Sequence, residues 1–231
     1  MKRSTINAIM CRANDFIRER GYYLPPFAYW TPTEWQNKGR EVQEICESGM
    51  GWDITDFGKG DFTRWGLFLF TVRNGRPQNW QDRTGKLYCE KLLIAEDRQA
   101  TPMHFHWAKM EDIINRGGAL MAIQLYNAGP GDELADTPVR VSLDGVEREV
   151  AAGTILRLEP GESITLTQGM YHTFWAEGGR TLIGEVSLVN DDTADNRFLE
   201  SVGRFPQIEE DEPPLHLLVT DYPRYVRWLR V

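Results

Sequence analysis

Apolar positions along the chain fall into two regimes, helical spacing first and short strand-like runs afterwards. From Asn7 to Arg20, the residues Ile9, Ala13, Phe16 and Ile17 recur at the spacing of one helix face, and Gly21 ends the run. Leu24-Pro25-Pro26-Phe27 is an extended connector. Thr31-Pro32-Thr33-Glu34 has the form of a capping box: Thr31 caps, Pro32 suits the first turn, and Glu34 reaches back. It predicts a helix from about Pro32 to Ser48, weakened by Gly39. The stretch from Gly49 to Gly60 is rich in Gly and Asp and is expected to be loop.

From Phe62 onward the period changes. Trp65 to Arg73 predicts a strand ending at the turn Asn74-Gly75. Further short strands are predicted at 87–94, 103–107, 113–115, 118–127, 139–143, 147–150, 154–158, 163–166, 173–176 and 181–189. Turns at Asp144-Gly145, Pro160-Gly161 and Gly178-Gly179 separate several of them. Many short strands with frequent turns predict a mostly β protein, a sandwich or barrel. A helical N-terminal part, about 1–60, is expected to pack outside a barrel of about 61–231, the whole forming one domain.

Composition narrows the function classes. The chain has 231 residues and a formal net charge of −8, without the basic stripe of a nucleic-acid binder. Cys11, Cys46 and Cys89 are odd in number and widely spaced, so a disulfide framework is not expected and a reducing cytoplasm is. The opening MKRSTINAIMCRANDF lacks the apolar run of a signal peptide, and no stretch approaches the roughly 20 apolar residues of a membrane helix.

The candidate chemistry centres on His104-Phe105-His106. On a strand, positions i and i+2 share a face roughly 6–7 Å apart, so both imidazoles can turn toward one cation. Trp107 to Met110 can reverse the chain and return Glu111 to it, and His172 would join from a neighbouring strand. Three imidazoles and a carboxylate leave open positions on an octahedral metal, as catalysis requires. Glu185 interrupts the apolar run 182–189 and is the first candidate for a general base, since a charge in such a strand needs a partner or a function. Lys109, between His106 and Glu111, is the candidate cation for stabilising an oxyanion. Glu90 and Lys91 are neighbours on another apolar strand, so only one of them faces inward. His216 has apolar neighbours and no ligand spacing, and reads as structural.

The spacing His-x-His-x4-Glu, with Pro160-Gly161 and Gly169-x2-His172 beyond it, resembles the two motifs of the cupin superfamily. That resemblance implies a jelly-roll barrel with His104, His106, Glu111 and His172 as ligands of one metal ion. The segments MHFHWAKMEDIINRGG (103–118), GMYHTFWA (169–176), GEVSLVNDDTADNRF (184–198) and PPFAYWTPTEW (25–35) are similar to D-lyxose isomerases of the cupin type. This implies a Mn²⁺-dependent aldose–ketose isomerase, with Co²⁺ or Zn²⁺ as alternative ions. Its substrates would be D-lyxose and D-xylulose, with D-mannose and D-fructose slower. The resemblance also implies a homodimer and contacts to the sugar from Lys109 and from Asp195 or Arg197 in the polar loop 190–197. The Trp and Tyr residues are mostly core, but Trp107 and Tyr171 flank ligands and are candidates to wall the pocket. An iron-dependent cupin dioxygenase and a non-catalytic sugar-binding cupin are the competing readings.

Overall fold

The computed structural model describes residues 1–230. The chain begins with α1 (Arg3–Glu19), α2 (Pro32–Gln36) and α3 (Gln43–Glu47), followed by β1 (Gly51–Thr55), β2 (Leu67–Asn74), α4 (Pro77–Asp82) and β3 (Tyr88–Ala95). Then come β4 (His104–His106), β5 (Glu111–Ala128), β6 (Leu134–Ala135), β7 (Val139–Leu143), β8 (Val146–Val150), β9 (Ile155–Leu158) and β10 (Ser163–Leu166). The chain closes with β11 (Met170–Leu188), β12 (Asn196–Phe198) and α5 (Tyr222–Tyr225). The protein is mostly β, as its sequence predicts. Its antiparallel strands follow the path β1-β2-β3-β11-β5-β10-β7-β8, with β4 and β12 extending the first half of β11 and β9 pairing with β5.

Each face of the β1-β2-β3 segment packs a different core. Phe68, Phe70, Val72, Leu92 and Ile94 face outward and bury α1 through Ile6, Ile9, Met10, Ala13 and Ile17. Leu69, Leu93 and Ala95, alternating with them, join Ile113, Met121, Ile123, Phe174 and Ile183 in the interior. The N-terminal helices therefore sit outside a jelly-roll β structure.

Four local expectations change. Residues 51–55 form a buried strand instead of a loop. Trp52 and Ile54 reach the helix-side core, and the Asp53 carboxylate is neutralised by Arg204 at 2.6 Å. The helix expected over 32–48 breaks at Gly39 into α2, a 3₁₀ turn and α3, although the Thr31–Glu34 capping box is formed. The Asn74-Gly75 turn is widened by α4. The strands expected at 113–115 and 118–127 are one strand, as are those at 173–176 and 181–189. Gly178-Gly179 is thus a bulge inside β11 rather than a turn between strands. Across from it Gly118, at φ +116°, admits no side chain, because a Cβ there would lie 2.2 Å from the Arg180 carbonyl.

The first helix is pinned to the C-terminal segment by charge as well as by packing. Arg3 is fully buried. Its guanidinium forks onto Asp221 at 2.9 Å and Glu210 at 2.8 Å. Burial alone would lower the Arg3 pKa, and the two carboxylates more than offset it. Among the described residues no helix is long and apolar enough to cross a membrane. Arg3→Ala leaves Asp221 buried and unpaired and is expected to cost roughly 3–5 kcal/mol of unfolding free energy. Urea denaturation checks this; a loss under about 1 kcal/mol would place the pair in the class of weak surface bridges.

Candidate metal centre and active site

Two strands deliver the three histidines. His104 and His106 occupy the two ends of β4, and His172 lies directly across from His104 on β11. The ligand nitrogens of the three lie within 4.8 Å of one another. Each ring is oriented from behind. Nδ1 of His104 is 2.8 Å from the Pro102 carbonyl, Nδ1 of His106 is 3.0 Å from that of Asp195, and Nδ1 of His172 is 3.0 Å from that of Met170. A carbonyl oxygen only accepts, so in each neutral ring Nδ1 carries the proton and Nε2 keeps its lone pair. Burial, followed by its two histidine neighbours, holds the His104 pKa well below its ordinary value. Burial also pushes His172 down to about 4, with the His106 ring adding to the shift and Glu111 opposing it.

Glu111 completes the donor set. It opens β5 after the 107–110 reversal. Its Oε1 is 3.4 Å from Nε2 of His106 and 3.3 Å from Nε2 of His172. With the tautomers set by the carbonyls, these contacts bring acceptor against acceptor, which is unfavourable unless a cation lies among them. The donor chemistry therefore fits a metal ion held by His104, His106, His172 and Glu111.

The second carboxylate of the site is Glu185, on the same inner face. It is buried, and Lys109 lies between it and Glu111, with Nζ 2.7 Å from Glu185 Oε1 and 2.5 Å from Glu111 Oε2. Burial pushes the Glu111 carboxyl up, but the Lys109 ammonium opposes it, and Glu111 is held well below the usual carboxylate range. Burial likewise disfavours the charged Lys109, and Glu111 and Glu185 raise its pKa despite that. Of the Glu90–Lys91 pair, Lys91 faces inward, while Glu90 bonds to Arg73 and Tyr22 at the other face.

The pocket also contains residues for which the sequence carries a weak signal or none. Asp192, Asn196, Phe57, Phe198 and Arg204 line it together with the histidines. Arg204 Nη2 pairs with Asp53 at 2.6 Å and with Asp192 at 3.2 Å, whereas its buried Nη1 has no partner among the described residues. Asp192 belongs to the polar loop already under suspicion, but Arg204 has neither motif nor apolar strand around it to mark it.

Trp107, Asp195 and Arg197 lie outside the ring of pocket-lining side chains. Trp107 is about half exposed and packs edge-on against Phe105. Asp195 accepts the backbone N–H groups of Ala108 at 2.7 Å and Lys109 at 2.9 Å, so it shapes the turn that carries the lysine, while its carbonyl orients His106. Arg197 is bonded to Asp132 and to the Phe198 carbonyl. Tyr171 is buried beside Phe105, its hydroxyl donating to the Asp132 carbonyl. His216 stacks on Trp52 on the helix side, far from the ligands in fold position and structural as expected.

A D-lyxose/D-mannose isomerase of Serratia proteamaculans is 50% identical over 229 residues, covering 98% of this chain and all of that one. One from Escherichia coli O157:H7 is 45% identical over 228 residues, covering 97% of this chain and all of its own. Among solved structures, the L-ribose isomerase of Acinetobacter sp. DL28 in complex with L-ribose superposes with a TM-score of 0.59 at 16% identity, covering 90% of this chain and 98% of that one. The Cellulomonas parahominis L-ribose isomerase with L-psicose gives 0.56 at 16% identity, covering 87% and 95%. Those two likenesses establish the shared fold. The family model described as D-lyxose isomerase matches residues 1–222, and the chain belongs to that family.

Proposed function

We propose that the protein interconverts D-lyxose and D-xylulose, and more slowly D-mannose and D-fructose, by proton transfer through a cis-enediol. The observation that carries this reading is the placement of a buried carboxylate, Glu185, in the same cavity as the three converging histidines. The names of the two nearly full-length relatives support the choice of sugars. D-Lyxose and D-mannose share the C2–C4 configuration, so one constellation can serve both. Three imidazoles with a carboxylate suit Mn²⁺ best, with Co²⁺ or Zn²⁺ as alternatives.

Bound by His104, His106, His172 and Glu111, such an ion supplies Lewis-acid polarisation of adjacent sugar oxygens. Glu185 takes the proton from C2 of the open-chain aldose. The C2–H pair becomes the C1–C2 double bond of the enediol, and the carbonyl π pair moves onto O1. Lys109 donates a hydrogen bond to the oxygen that gains charge. Glu185 then returns the proton to C1 as the O2 hydroxyl passes its own proton to O1, so that O1 becomes a hydroxyl and O2 the ketose carbonyl. Arg204 Nη1, lacking a protein acceptor, donates to a sugar hydroxyl farther along the chain. A hydride shift usually calls for two metals bridged by carboxylates, and the histidine triad supplies a single cluster among the described residues.

Glu185→Gln is expected to retain metal and sugar binding while kcat falls on the order of 10²–10⁴-fold. Steady-state kinetics with metal analysis checks this, and wild-type turnover would remove Glu185 from the base role.

Turnover of D-lyxose in D₂O is expected to place deuterium at C1 of D-xylulose, because a proton held on Glu185 exchanges with water. NMR of the product reads the position. Full carry-over of hydrogen from C2 would point to a hydride shift.

Metal-free protein is expected to lose stability as pH falls from 6.5 toward 4. His172, at about 4 in the folded state, and the similarly lowered His104 take up protons only on unfolding, so the unfolded chain binds more protons in that window. The slope is about 1.4 kcal/mol per pH unit for each extra proton. Mn²⁺ is expected to raise the melting temperature at pH 7 in wild type and not in His172→Ala. A flat acid profile, or an undiminished shift in His172→Ala, would contradict the assigned ligands.

A further inference from the structure

Glu185 is held more tightly than a base needs to be for charge balance alone. Lys91 stands directly across the β3–β11 pair from it. Both side chains are buried. Lys91 Nζ lies 3.2 Å from Glu185 Oε1, the same oxygen that Lys109 approaches at 2.7 Å. Ser187 Oγ lies 3.2 Å from this oxygen as well, although its single proton has a shorter path to the Leu188 carbonyl at 2.8 Å. Among the described residues no hydrogen bond reaches Oε2 of Glu185. One carboxylate oxygen is thus crowded with cations and the other is left to the cavity.

Lys91 is itself anchored. It donates to Oδ1 of Asn190 at 2.7 Å. Asn190 is clamped in turn by Asn74, which accepts its N–H at 3.0 Å and donates to its carbonyl at 2.9 Å. Asn74 also donates to the Ser48 carbonyl at 3.0 Å. A chain of buried polar contacts therefore runs from the end of α3 to the carboxylate. None of these groups belongs to the metal donor set. A buried ammonium is expensive to keep, and Glu185 already has Lys109 as a counter-charge. Lys109, however, is shared with Glu111. On its own it leaves Glu185 free to swing over a wide range of its terminal torsion, whose energy surface is broad.

We propose that Lys91 is a positioning residue for the isomerisation: from the opposite strand it holds one oxygen of Glu185 and so fixes the plane of the carboxylate, with the other oxygen kept toward the sugar C–H. The inference rests on the reading of Glu185 as the base. The test is a kinetic cycle on D-lyxose with the metal-loaded protein, comparing Lys91→Met, Glu185→Gln and the double variant. Lys91→Met is expected to keep its metal and to hold KM within about threefold while kcat falls on the order of 10²-fold, the cost of a small misplacement of a reacting group. In the Glu185→Gln background the same substitution is expected to change the residual rate by less than about threefold, because a residue acting only through Glu185 has nothing left to position. Asn190→Ala keeps the lysine charge but removes its anchor, and is expected to lower kcat about tenfold at unchanged KM; this holds as the test should Lys91→Met fold poorly. Wild-type kcat in Lys91→Met or Asn190→Ala, or a further 10²-fold loss in the double variant, would overturn the inference. Wild-type kcat in Glu185→Gln would instead overturn the base assignment, and the Lys91 role with it.

Discussion

Lys109 places one ammonium between two buried carboxylates, 2.5 Å from Glu111 and 2.7 Å from Glu185. Glu111 stands against His106 and His172, and Glu185 stands on the far side of the lysine, so a single cation joins the two parts of the site. Its charge opposes the burial that would push the Glu111 carboxyl up, and at Glu185 it is joined by Lys91. The turn that carries Lys109 is correspondingly fixed. Asp195 accepts the backbone N–H groups of Ala108 and Lys109, and its own carbonyl holds His106. One residue of the distal loop thus aligns a metal ligand and the bridging lysine together.

Three cations that line the cavity, Lys91, Lys109 and Arg204, face three lining carboxylates, Glu111, Glu185 and Asp192, with Asp53 behind Arg204 as a fourth. This matters for the proposed reaction. Moving a proton from C2 to Glu185 transfers one negative charge from the carboxylate to the sugar without changing the total. The ammonium of Lys109 already lies beside the group that loses the charge. The donors are in place before charge moves, so little reorganisation is needed when it does.

Much of this was legible in the sequence because it depends on local spacing. His104 and His106 are two apart on a strand, Glu111 follows a four-residue reversal, and Glu185 is conspicuous as a charge in an apolar run. Lys91 was visible but undecided. Its strand is buried on both faces, with Leu92 and Ile94 toward the helices and Leu93 and Ala95 toward the interior, so no polar face marks the outside. Arg204 was not legible at all. It reaches the pocket from an irregular segment, and its partners Asp53 and Asp192 are 151 and 12 positions away in sequence. Asp53 itself was hidden in a Gly- and Asp-rich stretch that composition assigns to loop. The polar loop 190–197 did signal a function, but side-chain type alone could not show that Asp192 turns inward while Asp195 turns to the backbone.

The least legible feature is also the one that brings the two halves of the reaction together. His172 and Glu185 lie thirteen residues apart on one strand. On a regular strand an odd separation sends two side chains to opposite faces, because the period is two. In β11 the inward positions are Met170, His172, Phe174 and Ala176 before the Gly178-Gly179 bulge, and Ile183 and Glu185 after it. The parity switches from even to odd. On the paired strand β5 it does not: Glu111, Ile113, Met121, Ile123 and Leu125 all face inward. The register shifts between Glu177 and Thr181 and between Leu182 and Ile183 absorb the mismatch. A bulge that looks like a turn in the sequence is therefore what returns the strand to the cavity with Glu185 on the same side as the histidines. The backbone can take that course because Gly178 and Gly179 adopt φ of +85° and +144°, where a side chain would be strained.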